Sequence, residues 1–286
     1  MGSVNMDLTF NVNTLPREGE TVLASSLTYA PGGKGANQAV AAARAGAQVQ
    51  FVGAVGDDPV AGQLRAHLED NGVGLDGTVA VSEPSGTAII VVDAGAHNTI
   101  VVAPGANGRL SLNAALRAVI RNCDVLLTQL EIPLATATAA AHEARSAGAV
   151  VIVNASPAGR SRSLLSELAE LADVVIANQR EAAEWRWRSS HLVTTLGARG
   201  ARCVSPDDEF WVPAPVVKAV DTAGAGDVFA GVLAANWPRN PGSRAERLAA
   251  LQRACAAGAL STLVRNAGDC APDAEAIDAA VRSEVK

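Results

Sequence analysis

The segment DTAGAGDVFAG (221–231) joins a run of small residues, flanked by two carboxylates, to an apolar stretch that reads as a helix. From Ala223 through Gly224, Ala225 and Gly226, the lack of bulky side chains lets backbone N–H groups close on an anion. The helix behind points its positive end at the same place. Asp227 falls in the first helical turn, where the helix field favours the ionised carboxylate by about 0.3–1 kcal/mol. A substrate hydroxyl between Asp227 and an incoming phosphate would be oriented and deprotonated there, while the N–H groups stabilise charge on the transferring group. Phosphoryl transfer is the chemistry that this segment suits. Taken alone, it suits an ordinary glycine-rich turn equally well.

A second glycine-rich stretch, PGGKGANQAVAAARAG (31–46), opens another helical run. Gly32, Gly33 and Gly35 let backbone approach a ligand, and Lys34 projects a cation. It is not a Walker A loop, because Tyr29 stands where GxxxxGK[ST] needs glycine, and no strand–turn–helix with a later acidic residue makes it a dinucleotide site. With Asn37 and Lys34 as paired donors and acceptors, it suits a small polyhydroxylated ligand. Polar residues also close several apolar runs: Glu131 ends VLLTQLE, Asn154 ends VVIVN, Asn178 ends VVIAN and Gly197 ends VTTLG, while Asn5 and Asp7 follow a Gly-Ser turn. In an open parallel sheet the carboxyl ends of the strands share one crevice, so these residues point to one polar cleft. Singly, each is as well read as a loop start or helix cap.

The elements that must position these groups follow from the apolar pattern. Runs at 48–56, 124–131, 150–154, 173–178 and 191–197 read as strands, and the stretches 59–72, 136–148 and 163–171 as helices, the first closed by Gly72. Strands and helices alternating at this spacing imply βαβ units, a mostly parallel covered sheet and one domain over 1–286. The segments 8–30 and 86–105 instead alternate with period two and hold no helix, so they read as antiparallel hairpins forming a small β-lid. Aromatics supply only 3% of the chain, so the core must be Ala, Val and Leu. A net charge of −6 argues against a nucleic-acid or acidic-membrane surface. No apolar run approaches the roughly 20 residues that span a bilayer. Cys123, Cys203, Cys255 and Cys270 are scattered, which suits reduced thiols and a cytoplasmic location. His67, His97, His142 and His191 show no metal-ligand spacing.

GSVNMD (2–7), GGKGANQA (32–39), QLE (129–131), NQRE (178–181), TLGARG (195–200) and DTAGAGD (221–227) resemble, in this order, the motifs of the PfkB carbohydrate kinases. The likeness runs over nearly the whole chain and is strongest to the ribokinase-type members. It implies a ribokinase-like three-layer α/β fold with a mostly parallel central sheet, a small β-sheet lid, and phosphorylation of D-ribose by ATP. Carried over by resemblance, Asn5, Asp7, Gly33, Lys34, Asn37 and Glu131 would hold the sugar. Asp227 would be the base, and Gly224, Ala225 and Gly226 the anion hole. Thr195, Gly197, Gly200, Asn178 and Gly226 would line the nucleotide, and Asn178 and Glu181 would organise Mg²⁺ largely through water. Asp221 and Ala223, with Arg265, Gly268 and Cys270, resemble a site for K⁺. Apolar lid faces such as AIIVV and TIVV imply a homodimer through the lid.

Two departures accompany the likeness. The chain starts directly at MGSVNMD, where such kinases carry a preceding apolar strand. Only 182–194 separates NQRE from TLGARG, which leaves no room for a further helix and one flank to be covered by Trp185 and Trp187. Other readings are a kinase of a nucleoside or ketose, or a sugar-binding regulatory protein on the same fold. An intact Asp227 speaks against the last, since a sensor needs no base.

Overall fold

The computed structural model describes residues 1–95, 97–159, 161–239 and 242–284. Among them the strands are β1 (Asn5–Asn11), β2 (Ser26–Gly32), β3 (Val49–Val55), β4 (Val73–Ala80), β5 (Gly86–Val92), β6 (Asn98–Ala103), β7 (Val125–Thr128), β8 (Val150–Asn154), β9 (Val174–Asn178), β10 (His191–Thr195), β11 (Ala201–Val204) and β12 (Glu209–Val212). The α-helices are α1 (Lys34–Arg44), α2 (Pro59–Asp70), α3 (Ala114–Arg121), α4 (Leu134–Ser146), α5 (Arg162–Leu171), α6 (Gln179–Glu184), α7 (Ala225–Asn236), α8 (Arg244–Ser261) and α9 (Ala274–Glu284).

The larger sheet has the order β12-β11-β10-β9-β8-β7, parallel from β7 to β10 and antiparallel beyond. Strands β7 to β9 are apolar on both faces because both are covered, whereas β11 and β12 alternate buried and exposed residues. Val151, Val153 and Val175 point to α3, α4 and α5, whereas Val150, Ile152, Val174 and Ile176 point to α7 and α8. This produces three layers. The parallel pair β3/β4 lies beyond β7 and is linked to it by residues 1–4: Gly2 N donates to Val52 O at 3.0 Å and the Met1 ammonium to Leu127 O at 2.9 Å.

The chain then leaves this layer to enter a second sheet, β2-β1-β5-β6. Both hairpins form, with β1/β2 and β5/β6 antiparallel. They are joined by a parallel β1/β5 pairing, so the sheet is not antiparallel throughout. That join follows from β1 running straight out of the main layer. Asn5 and Asp7 therefore stand at the junction between the two sheets.

The short 182–194 interval is handled by the tryptophans. Trp185 is buried against the core around Leu165, with Trp187 in edge contact, ring centres 5.0 Å apart at 67°. A cavity of about 140 Å³ remains there, lined by Leu130, Ala155, Leu165, Glu181, Trp185 and Trp187 among others.

Candidate active site

Helix α7 starts where the sequence places it. Gly224 is the N-cap, with φ 79°, a left-handed conformation that glycine adopts without strain. It also lies close to the 264–270 loop, since a Cβ there would come within 2.8 Å of Ala267 Cα. Ala225 and Gly226 form the first turn, and a Cβ on exposed Gly226 would meet nothing within 4 Å, so this helix end is open to a ligand. Asp227 is the third helical residue and is buried.

Helix α1 crosses α7 at close range because Gly231 has no side chain; a Cβ there would lie 2.3 Å from Gln38 O. The crossing lets two amides reach Asp227: Asn37 Nδ2 donates to Oδ2 at 3.2 Å and Gln38 Nε2 to Oδ1 at 2.9 Å. Gln38 Oε1 accepts in turn from Gln129 Nε2 at 2.5 Å. The sequence reading missed both glutamines. The signal for them lay inside GGKGANQA and QLE, next to residues that were chosen.

From the other side, β1 brings Asn5 and Asp7. Asn5 Oδ1 accepts from Asn107 Nδ2 at 2.8 Å, and Asn107 also brackets the Val4 backbone. Gly86 leaves room for this pair, because a Cβ there would sit 2.3 Å from Asn5 Oδ1. Gly33, at φ 92°, packs on the Val4–Asn5 backbone and positions Lys34 as the first residue of α1. Glu131, after β7, accepts from Ser3 Oγ at 2.6 Å.

These groups feel one another's charge. Burial, then Glu131 and Asp227, push the Asp7 carboxyl up to about 7, with Lys34 pulling the other way. Burial works against the Lys34 ammonium, yet Asp227, Glu131, Glu181 and Asp7 outweigh it and raise its pKa. The site is thus a set of carboxylates around one firmly protonated lysine. Asp7 Oδ1 and Asn37 Oδ1 are buried without a hydrogen-bond partner in the protein, and so are able to receive hydroxyl groups.

The other sequence-chosen residues form adjoining structures. Asn178 and Glu181 make a capping box on α6: Asn178 Oδ1 accepts from Glu181 N at 2.9 Å, and Asn178 N donates to Glu181 Oε2 at 2.8 Å. The helix-cap reading of Asn178 is thus realised, and the charge of Glu181 is felt at Lys34. Thr195 ends β10, and the turn Gly197–Arg199 closes by Leu196 N to Gly200 O at 2.8 Å. Arg199 ties this turn to α6 through Gln179 Oε1 at 3.1 Å. Asp221 accepts from Ala223 N at 2.9 Å and Asn266 N at 3.3 Å, which fastens the loop before α7 to the 264–270 loop. In that loop Arg265 is exposed, Gly268 packs on Pro31 O, and burial pushes the Cys270 thiol up to about 11.

A family profile described as pfkB family carbohydrate kinase matches residues 1–274. A ribokinase of Bacillus subtilis is 39% identical over 242 residues, covering 80% of this chain and 81% of the relative. A deoxyribokinase of Salmonella typhimurium is 35% identical over 256 residues, covering 82% and 83%. Among solved structures, that of Arabidopsis thaliana ribokinase complexed with ribose and ATP matches with a TM-score of 0.89 at 26% identity, over 98% of this chain and 97% of the other. The chain belongs to the pfkB family of carbohydrate kinases, with the ribokinase-like fold. It is a sugar kinase.

Proposed function

We propose that this kinase transfers the γ-phosphoryl group of ATP to the 5-hydroxyl of D-ribose, giving ribose 5-phosphate and ADP. The observation that carries the reading is the buried Asp227 carboxylate. Two amides of α1 hold it at the open N-terminus of α7, within the electrostatic reach of Asp7 and Lys34.

The chemistry follows from the residues. Asn5, Asp7, Asn37 and Glu131 offer acceptors and donors that suit vicinal hydroxyls, and the Gly33–Gly35 backbone lets the sugar lie close. Asp227 accepts the proton of the primary hydroxyl as its oxygen attacks phosphorus. The N–H groups of Ala225 and Gly226, at the positive helix end, receive the charge on the transferring group. Burial keeps water from competing as acceptor.

A divalent cation arriving with ATP is Mg²⁺ in this reading. Asn178 and Glu181 would organise it largely through water, since Mg²⁺ sheds its hydration shell reluctantly. Bound there, Mg²⁺ would neutralise phosphate charge. Thr195, Gly197, Gly200 and Asn178 line the nucleotide. The tie between Asp221, Ala223 and the 265–270 loop supports K⁺ there, held by carbonyl oxygens so as to order the anion hole. The second sheet acts as a lid over the sugar, within one kinase domain, and pairs with a second copy. Among the described residues no helix is long and apolar enough to cross a membrane, and a cytoplasmic location fits this substrate pair.

The test is an assay with Mg²⁺-ATP against ribose, 2-deoxyribose, fructose and adenosine, with and without K⁺, on the unaltered protein and Asp227→Asn. Ribose should give the highest kcat/KM, and Asp227→Asn should cut kcat by about 10²–10⁴-fold while sugar still binds. Preferred turnover of another acceptor would overturn the substrate; full turnover by Asp227→Asn would overturn the base.

A further inference from the structure

Asp227 is held through a longer chain of groups than the substrate contacts require. Gln38 grips Oδ1 at 2.9 Å, and Gln129, two residues before Glu131, grips Gln38 Oε1 at 2.5 Å. Gln38 and Gln129 are each 1% exposed, so water does not substitute for either bond. The chain has only one polarity. An ionised carboxylate accepts hydrogen bonds and never donates them, so Gln38 must present its NH₂ to Asp227. Its carbonyl then faces Gln129, which must donate. The far end is held by packing alone: Gln129 Oε1 has no hydrogen-bond partner, Gly2 is walled against it, where a Cβ would lie 1.8 Å away, and Gly35 packs on Gly2.

We propose that Gln38 and Gln129 are positioning residues for phosphoryl transfer, a buried amide chain that locks the Asp227 carboxylate so that Oδ2 faces the acceptor hydroxyl. The two carboxylate oxygens are treated unequally. Oδ1 receives the shorter bond from a fully buried amide, whereas Oδ2 receives only the 3.2 Å bond from Asn37, a residue in reach of the sugar. The terminal torsion of an aspartate is broad and roughly two-fold, so without a clamp the carboxylate would swing through orientations in which neither oxygen is aimed at the hydroxyl. Gln129 adds selectivity to the clamp. With its NH₂ against Gln38 Oε1, a flip of the Gln38 amide would set donor against donor and carbonyl against carboxylate at once. Such fixed dipoles cost nothing to reorganise at the moment of transfer.

This inference rests on the reading of Asp227 as the base. The experiment is steady-state kinetics with ribose and Mg²⁺-ATP for Gln38→Met, Gln129→Met, the double variant and Asp227→Asn, each first checked for a cooperative thermal transition. Gln38→Met should lower kcat by about 10- to 100-fold and leave the ribose KM within about threefold, because the lost bond is charge-assisted and acts on the base. Gln129→Met should lower kcat by roughly 3- to 10-fold, and the double variant should be no worse than Gln38→Met, since Gln129 acts only through Gln38. A folded Gln38→Met with kcat within about twofold of the unaltered enzyme, or losses that multiply in the double variant, would overturn the proposal. Undiminished turnover by Asp227→Asn would instead remove the reading beneath it. Should Gln38→Met not fold, Gln129→Met decides alone: lower kcat at constant KM supports the chain, and unchanged kcat overturns it.

Discussion

Asp7 is pushed up to about 7 because burial, then Glu131 and Asp227, make its charged form costly, and its ordinary value is 3.8. A carboxyl raised on folding adds stability that is fully present below its unfolded value and is lost as pH climbs through its folded one. On this account the ligand-free protein should weaken between pH 4 and pH 7, by up to about 4 kcal/mol for a three-unit shift. Asp7→Asn removes the group that titrates. Its melting temperature should therefore exceed that of the unaltered protein at pH 8 and match it near pH 4, while its ribose KM rises. A difference independent of pH would show that Asp7 is not the carboxyl responsible. At this scale the sequence reading named Asn5, Asp7, Lys34, Asn37, Glu131 and Asp227, from strand ends, glycine context and the family resemblance. It passed over Gln38, Gln129 and Asn107, because an amide has no chemical signature until its partners are known.

Between elements, the decisive contact is the crossing of α1 and α7. A glycine in VFAGVLAAN reads as a weak point in a helix, and only the structure shows that it is where Gln38 O approaches. Gly231→Ala adds a methyl group that lies 2.3 Å from that oxygen, closer than any real contact, so the helices must part. Overpacking of this kind costs about 1–3 kcal/mol. Both Asn37 and Gln38 ride on α1, so the same shift should draw them off Asp227. The expected outcome is a lower melting temperature together with a fall in kcat, whereas Gly62→Ala, on α2 with open space around it, should raise the melting temperature slightly through helix propensity and leave kcat unchanged. Turnover unchanged by Gly231→Ala would mean that the crossing does not set the Asp227 geometry. Of the elements, strands β3 and β7 to β10 and helices α1, α2, α4, α5 and α7 were readable from apolar runs bounded by turns, whereas α3, α6, α8 and α9 were passed over. The strand β4, VGLDGTVA, was not, because its two glycines erase the apolar pattern. Nor was the parallel join of β1 to β5, since register between distant segments leaves no mark in either one.

Taken whole, the described residues leave one edge of the second sheet exposed. All six residues of β6 are exposed, on both faces, and Ile100, Val101 and Val102 are 54, 61 and 41% exposed. Leu27 and Tyr29 extend the apolar surface on β2, while β6 forms a free edge. A monomer would hold this surface in water and offer an unpaired strand to any neighbour. A second copy laid sheet to sheet would cover the apolar surface, and such an interface needs a total of about 1,200–2,000 Å² to be stable. The same sheet carries Asn5 and Asp7, so on the proposed reading its order bears on sugar binding. Val101→Lys paired with Ile100→Glu should convert a dimer into a monomer, read by light scattering at micromolar concentration. The same variant should raise the ribose KM by more than it lowers kcat, because Asp227, Gln38 and Gln129 lie outside the lid sheet and keep their bonds. An unaltered protein that runs as a monomer would end the dimer argument. A monomeric variant with unchanged KM would separate assembly from sugar binding.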